Sequence, residues 1–222
     1  MVVNQSASII SRNFLAPVTK PARYPCKMSF RALFRLFWAL LFLLPIGLIG
    51  GCSRKVTHTG PPPATILLIR HAEKLNDGRI DLSPIGFERA RLLPKVFAPG
   101  ARPDLPTPQA LFATRESAHS NRPIQTVTPL AAALHLPIDD SFRDQDYAAL
   151  ASTLLSGKYA GKVVLVVWHH GKIPQLAKAL GATPPYNPWP EQQYDRIWRI
   201  DYVDGKVTLQ DLPYALLPGD SQ

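Results

Sequence analysis

From Ala64 onward the chain alternates between short apolar runs and longer stretches with apolar residues at helical spacing, the layout of an α/β domain with a largely parallel sheet. Thr65 to Ile69 reads as a strand buried on both faces. Ser83 caps a helix with Pro84 at its first position, continuing through Glu88, Arg89 and Leu92 toward Val96. Pro94 to Pro108 reads as a loop, Ala110 to Ala113 as a second strand, and Pro123 opens a helix to about Leu134. Leu136 to Ile138 adds a short strand, and Tyr147 to Leu155 a helix ending near Gly157. Val163 to Val167 is the strongest strand and leads through Trp168, His169, His170 and Gly171 into a helix begun near Pro174 and closed at Gly181. Arg196 to Val203 and Val207 to Leu212, joined at Asp204-Gly205, form a hairpin by their turn chemistry. One domain from residue 64 to 218 accounts for these elements.

The residues before it follow another pattern. Leu36 to Gly51 is uncharged and almost wholly apolar, preceded by Arg31 and Arg35 and followed by Cys52. That is a signal-peptide layout, and the run falls short of the roughly 20 residues a spanning helix needs. Ile49, Gly50, Gly51 and Cys52 resemble the bacterial lipobox, in which the cysteine is lipid-modified and becomes the first residue of the mature chain. The n-region starts most naturally at Met28. Residues 1–27, including Cys26, then read as a mis-annotated upstream extension, 28–51 as the signal peptide, and 52–63 as the lipidated cysteine and a Pro-rich tether. With Cys52 acylated no cysteine remains for a disulfide or a metal, so the fold must stand on its hydrophobic core.

Composition narrows the function classes. Of 222 residues, 46% are hydrophobic, which excludes disorder over the whole chain. The net charge of +9 invites a nucleic-acid reading until it is located. Residues 1–51 hold six of the 25 Lys and Arg and no acid, leaving 19 basic against 16 acidic residues beyond them. Most of the excess belongs to the leader, so a nucleic-acid-binding body is not indicated.

In open α/β sheets ligands collect at the carboxyl ends of strands. His71 follows the first strand, inside Arg70-His71-Ala72-Glu73-Lys74, and His169 follows the strongest one. Arg122 stands at the mouth of the helix after the second. With Leu82, Ser83 and Gly86 at a helix start, Arg89-Ala90 behind them, Gln125-Thr126 after Arg122, and Tyr194-Asp195-Arg196 before a late strand, the chain resembles the histidine phosphatase superfamily over about residues 64 to 212. That resemblance implies a phosphoglycerate mutase-like fold, a three-layer α/β/α sandwich with a largely parallel central sheet. It implies that His71 is the nucleophile that forms a phosphohistidine and that His169, Arg70 and Arg122 bind the phosphoryl oxygens. Neither metal nor cofactor is called for. The chemistry suits the residue types: guanidinium forks stay charged and meet two oxygens at once, and a neutral imidazole can attack phosphorus through one nitrogen while its other N–H is held.

The proton donor to the leaving group is not assignable from sequence. Glu73, Glu116, His119, Asp144 and Asp146 are the candidates, with Asp139 and Asp140 nearby. His58 and His135 read as tether and helix-end residues. Tyr186, Trp189, Tyr194 and Trp198 read as packing and loop anchors, with Trp189 as a lid the minority alternative. Thr114 and Arg115 fall where the family often has a small hydroxyl residue and a phosphate-facing loop. Short connections after His71 and after Arg122 leave little chain to shield a phosphoenzyme from water, which favours a hydrolase over a mutase. The expectation is a phosphomonoesterase acting on a phosphorylated small molecule or phosphoprotein, held at a bacterial envelope membrane through Cys52. The competing expectation is a non-catalytic phospholigand-binding or scaffolding lipoprotein.

Overall fold

Continuous apolar runs become central strands because both of their faces are covered. In β1 (Thr65–Arg70) all six residues are buried, with Ile66 and Leu68 in one core cluster and Leu67 and Ile69 in the other. β4 (Val163–Trp168) divides in the same way, Val164, Val166 and Trp168 against Leu165 and Val167. The sheet has six strands in the order β3-β2-β4-β1-β5-β6. β2 (Ala110–Ala113) and β3 (Ile138–Asp139) continue the parallel half beyond β4. β5 (Arg196–Val203) runs antiparallel to β1, and β6 (Lys206–Pro213) antiparallel to β5. Helices α1 (Pro84–Leu92), α2 (Pro94–Phe97) and α3 (Arg122–Leu134) form one covering layer, and α4 (Tyr147–Leu154) and α5 (Ile173–Ala179) the other. This is the three-layer α/β/α sandwich with a largely parallel central sheet.

The computed structural model describes residues 59–221. The predicted extension, the signal peptide, Cys52 and His58 lie outside the described residues. Among the described residues no helix is long and apolar enough to cross a membrane.

Several elements differ from the sequence expectation for local reasons. The first helix stops at Leu92 instead of running toward Val96, because Pro94 cannot donate a main-chain N–H and starts a new turn, α2, in what reads as a loop. Val96 and Phe97 are buried and hold that turn. Helix α3 opens one residue early, making Arg122 its first residue. The last residues of the expected tether are not a free linker. Gly60 N–H donates to the Leu155 carbonyl at 3.2 Å, the Pro62 carbonyl accepts from Gly161 at 3.1 Å, and Pro63 is buried. A Cβ at position 60 would sit 2.5 Å from the Ser156 carbonyl oxygen, so this close approach requires glycine. The hairpin turn is as expected, with positive φ at both Asp204 and Gly205.

Candidate active site

Register brings the two histidines together. Ile69 stands opposite Val167 and Arg70 opposite Trp168 in the β1–β4 pair, and the ladder continues with His71 N–H donating to the Trp168 carbonyl at 3.1 Å. His71 and His169 are therefore the next residues on adjacent strands, with the same parity as Ile69 and Val167. Their ring centroids lie 5.1 Å apart, edge to face.

The loop carrying His71 is held from three sides. Ala72 N–H donates to the Thr126 hydroxyl at 2.9 Å, and that hydroxyl donates to the Arg122 carbonyl at 2.7 Å. Gln125 accepts from Leu82 N–H at 2.9 Å. The Glu73 carbonyl accepts from Ser83 N–H at 2.8 Å, and helix α1 passes so close that a Cβ on Gly86 would lie 2.3 Å from that carbonyl oxygen. The Leu-Ser-x-x-Gly element is thus a docking joint between α1 and the loop after His71.

Within this frame the His71 ring is 2% exposed, with Nδ1 2.7 Å from the Ala72 carbonyl. A carbonyl only accepts, so Nδ1 carries the hydrogen and Nε2 keeps its lone pair. Burial, then His169, Arg70 and Arg122, hold the His71 pKa well below the ordinary value, against the raising effect of the Ala72 bond. Burial, followed by Arg122, His170 and Arg70, lowers His169 to about 4. Both rings are neutral near pH 7.

Arg70 is 1% exposed. Its Nη1 donates to the carbonyls of Pro190 at 3.2 Å, Glu191, and Gln193 at 3.1 Å. Its Cζ lies 3.8 Å from the centroid of the Tyr194 ring. Nε and Nη2 are buried without a partner. Burial lowers its pKa to about 10, still charged at neutral pH. Arg122 is tied by its Nη2 to the carbonyls of Arg79 at 2.8 Å and His119 at 3.4 Å and by Nε to that of Asp81 at 3.3 Å. All four expected site residues, Arg70, His71, Arg122 and His169, gather at one end of the sheet, and each guanidinium depresses both imidazoles.

The candidate proton donors separate. Glu73 lies in an ion-paired cluster: Arg89 meets its carboxylate at 2.7 and 3.0 Å and Asp220 at 2.7 Å. That engagement removes it from acid duty. Glu116 and His119 are exposed, and Asp146 caps its own turn by accepting Arg143 N–H at 3.0 Å. Asp144 is different. It opens a 3-10 turn beside the end of β4, where Trp168 Nε1 donates to its carbonyl at 3.3 Å and Lys172 is near. One carboxylate oxygen is buried without a partner among the described residues, and burial raises its pKa against the pull of Lys172 and of the Trp168 indole N–H.

Trp189 is 1% exposed in a stack with Tyr186 and Trp198, so it is an anchor and the lid alternative falls. Thr114 has a buried hydroxyl without a partner at the end of β2, while Arg115 turns outward to the Asp140 and Ser141 carbonyls. Sequence reasoning missed Tyr194 as a site residue. β5 runs antiparallel beside β1, so residues just before β5 must lie at the same sheet end as those just after β1. The hairpin reading combined with that pairing would have found it.

No protein-family model matches the chain, and no curated protein does. Among solved structures the chain is similar to the protein histidine phosphatase SixA complexed with tungstate, at 17% identity over 68% of this chain and 97% of that one, with a TM-score of 0.47. It is also similar to a candidate phosphohistidine phosphatase SixA from Nakamurella multipartitia, at 18% identity over 69% and 99% of the two chains and TM-score 0.46. A candidate alpha-ribazole-5'-P phosphatase from Escherichia coli str. K-12 substr. MG1655 follows, at 18% identity over 70% and 98% and TM-score 0.44. At TM-scores below 0.5 these likenesses leave family and activity to the geometry of the site.

Proposed function

We propose that the chain is a phosphomonoesterase of the histidine phosphatase type, acting through a phosphohistidine on His71. The observation that carries this reading is the buried Arg70 guanidinium, with Nε and Nη2 unpaired, beside two neutral imidazoles of which one has its Nδ1–H already committed. Buried donors of a charged group need an acceptor, and a tetrahedral oxyanion provides one. His71 Nε2 attacks phosphorus as the ester P–O bond breaks, and the Ala72 carbonyl steadies the ring as it gains charge. The leaving oxygen takes a proton from Asp144. Water then attacks the phosphohistidine, returning its proton to Asp144, and phosphate departs. Arg70, Arg122 and His169 hold the non-bridging oxygens throughout, and none of these steps calls for a metal.

The test is turnover of an aryl phosphate and an alkyl phosphate by the purified full chain. His71→Ala abolishes both. Asp144→Asn slows the alkyl ester about 100-fold or more while costing the aryl ester, whose leaving group needs little protonation, less than about tenfold. Wild-type rates from His71→Ala would refute the reading. Phosphate binding without turnover by the wild type would establish the phospholigand-binding alternative instead. We further propose that an acyl chain on Cys52 holds the mature protein at a bacterial membrane. Mass spectrometry of the mature N-terminus tests this, and finding residues 28–51 retained would overturn it.

A further inference from the structure

Arg70 owes its pose to a segment some 120 residues away in sequence. Every partner of its Nη1 is a main-chain carbonyl between Pro190 and Gln193, and the next residue, Tyr194, lays its ring against the guanidinium with Cζ 3.8 Å from the centroid. The Gln193 carbonyl is shared, accepting from Trp189 Nε1 at 2.8 Å as well. Trp189 is in turn fixed by Trp198, ring centroids 4.7 Å apart, and by Tyr186 at 5.5 Å. The Tyr194 ring also stands 6.2 Å from that of His71. A Lys74–Glu191 ion pair of 3.5 Å ties the same segment to the loop after His71.

An arginine side chain otherwise samples many rotamers, and one buried in a low-dielectric wall needs fixed dipoles in place of water. Here the dipoles and the aromatic face come from one segment, and they occupy one edge of the fork while leaving the other bare. We propose that Trp189–Tyr194 is an arginine clamp, in which Tyr194, and Trp189 through the Gln193 carbonyl, are positioning residues that set the affinity of the site for a phosphoryl group by holding Arg70. The proposal rests on the reading of the site as a phosphoryl site. Neither ring need touch substrate. The clamp acts through the guanidinium alone, so its effect must disappear when the guanidinium does.

A double-mutant cycle on the full chain tests this, read as the inhibition constants of inorganic phosphate and vanadate and as the KM and kcat for an aryl phosphate. Tyr194→Phe keeps the ring and stays within about twofold of wild type. Tyr194→Leu raises the phosphate inhibition constant and KM about tenfold, with a smaller change in kcat, as expected for loss of a cation–π face at a desolvated site. Trp189→Phe preserves the stack but not the indole N–H, and weakens phosphate about threefold. In an Arg70→Met background, which has no cation to hold, both Tyr194→Leu and Trp189→Phe change phosphate affinity less than twofold. If either effect multiplies unchanged onto Arg70→Met, or if Tyr194→Phe loses as much as Tyr194→Leu, the clamp is overturned. Failure of the wild type to bind phosphate or vanadate at all overturns the phosphoryl reading together with it, so the two failures are told apart.

Discussion

Replacing Arg70 by methionine separates what the residue does for the fold from what it does for the ligand. For the fold alone the guanidinium is a liability: burial pulls its pKa down to about 10, equivalent to about 3 kcal/mol against the charged form. Methionine relieves that penalty and fills similar space. It also strips Pro190 and Glu191 of a donor, while Gln193 keeps Trp189. Two orphaned carbonyls cost about 1–3 kcal/mol each. These opposing terms largely cancel, so Arg70→Met should unfold within about 3 kcal/mol of wild type, or within roughly 10 °C in Tm for a domain of this size. Ligand binding has no such offset. Two charge-assisted bonds from Nε and Nη2 are worth about 1.5–3 kcal/mol each, so phosphate affinity falls about 10²- to 10⁴-fold. Thermal unfolding with and without millimolar phosphate reads both quantities in one assay. The reasoning is refuted if Arg70→Met lowers Tm strongly while phosphate still raises it as in wild type, since Arg70 would then be a structural residue.

Four further outcomes follow from the same geometry. Sulfate, whose charge is constant near neutral pH, should bind with proton uptake, because burial and then the neighbouring cations lower His169 to about 4 and the dianion offsets the cations' share; calorimetry in buffers of different ionisation enthalpy reads the proton, and a buffer-independent enthalpy would count against it. Without ligand, the depressed histidines make the unfolded chain bind more protons between about pH 6.5 and 4, so stability is full above that window and falls as pH drops through it, an effect that Tm against pH should show. Arg89→Met leaves the nearly buried carboxylates of Glu73 and Asp220 facing one another and should cost about 3–5 kcal/mol by denaturant titration, whereas Gly86→Ala, with a Cβ 2.3 Å from the Glu73 carbonyl oxygen, should loosen the His71 loop and lower turnover and Tm together.

What could be read from the sequence was what depends on period and short-range order. The apolar runs at Thr65–Ile69 and Val163–Val167 identify central strands, and a polar residue just beyond each must emerge at the sheet end, so His71 and His169 were accessible without coordinates. Ser83-Pro84 marked a helix start for the same local reason, its hydroxyl accepting Gly86 N–H at 3.1 Å. The proposed proton donor was not accessible. Asp144 differs from Asp139, Asp140 and Asp146 only in what surrounds its carboxylate, and burial by Trp168 and its neighbours is a tertiary fact with no local signature. Glu73 is the converse case: its proximity to His71 in sequence is real, and its pairing with Arg89, a guanidinium it shares with Asp220 147 positions away, is invisible along the chain.

Strand parity explains why the site needs so distant a segment. Successive residues of a strand point to opposite faces. His71 shares its face with Leu67 and Ile69, over the layer containing α3, and there Arg122 and Thr126 meet the loop it opens. Arg70 leaves on the other face, among Ile66, Leu68 and Trp168, where among the described residues no acidic side chain hydrogen-bonds to it. An arginine placed there by the strand itself must be satisfied by main-chain carbonyls, and those of Pro190, Glu191 and Gln193 are within reach only because β5 returns antiparallel beside β1. An acid in their place would neutralise the guanidinium and compete with phosphate for its donors. Carbonyl oxygens hold it without cancelling its charge, which leaves the bare edge of the fork as a net cation whose field reaches both imidazoles.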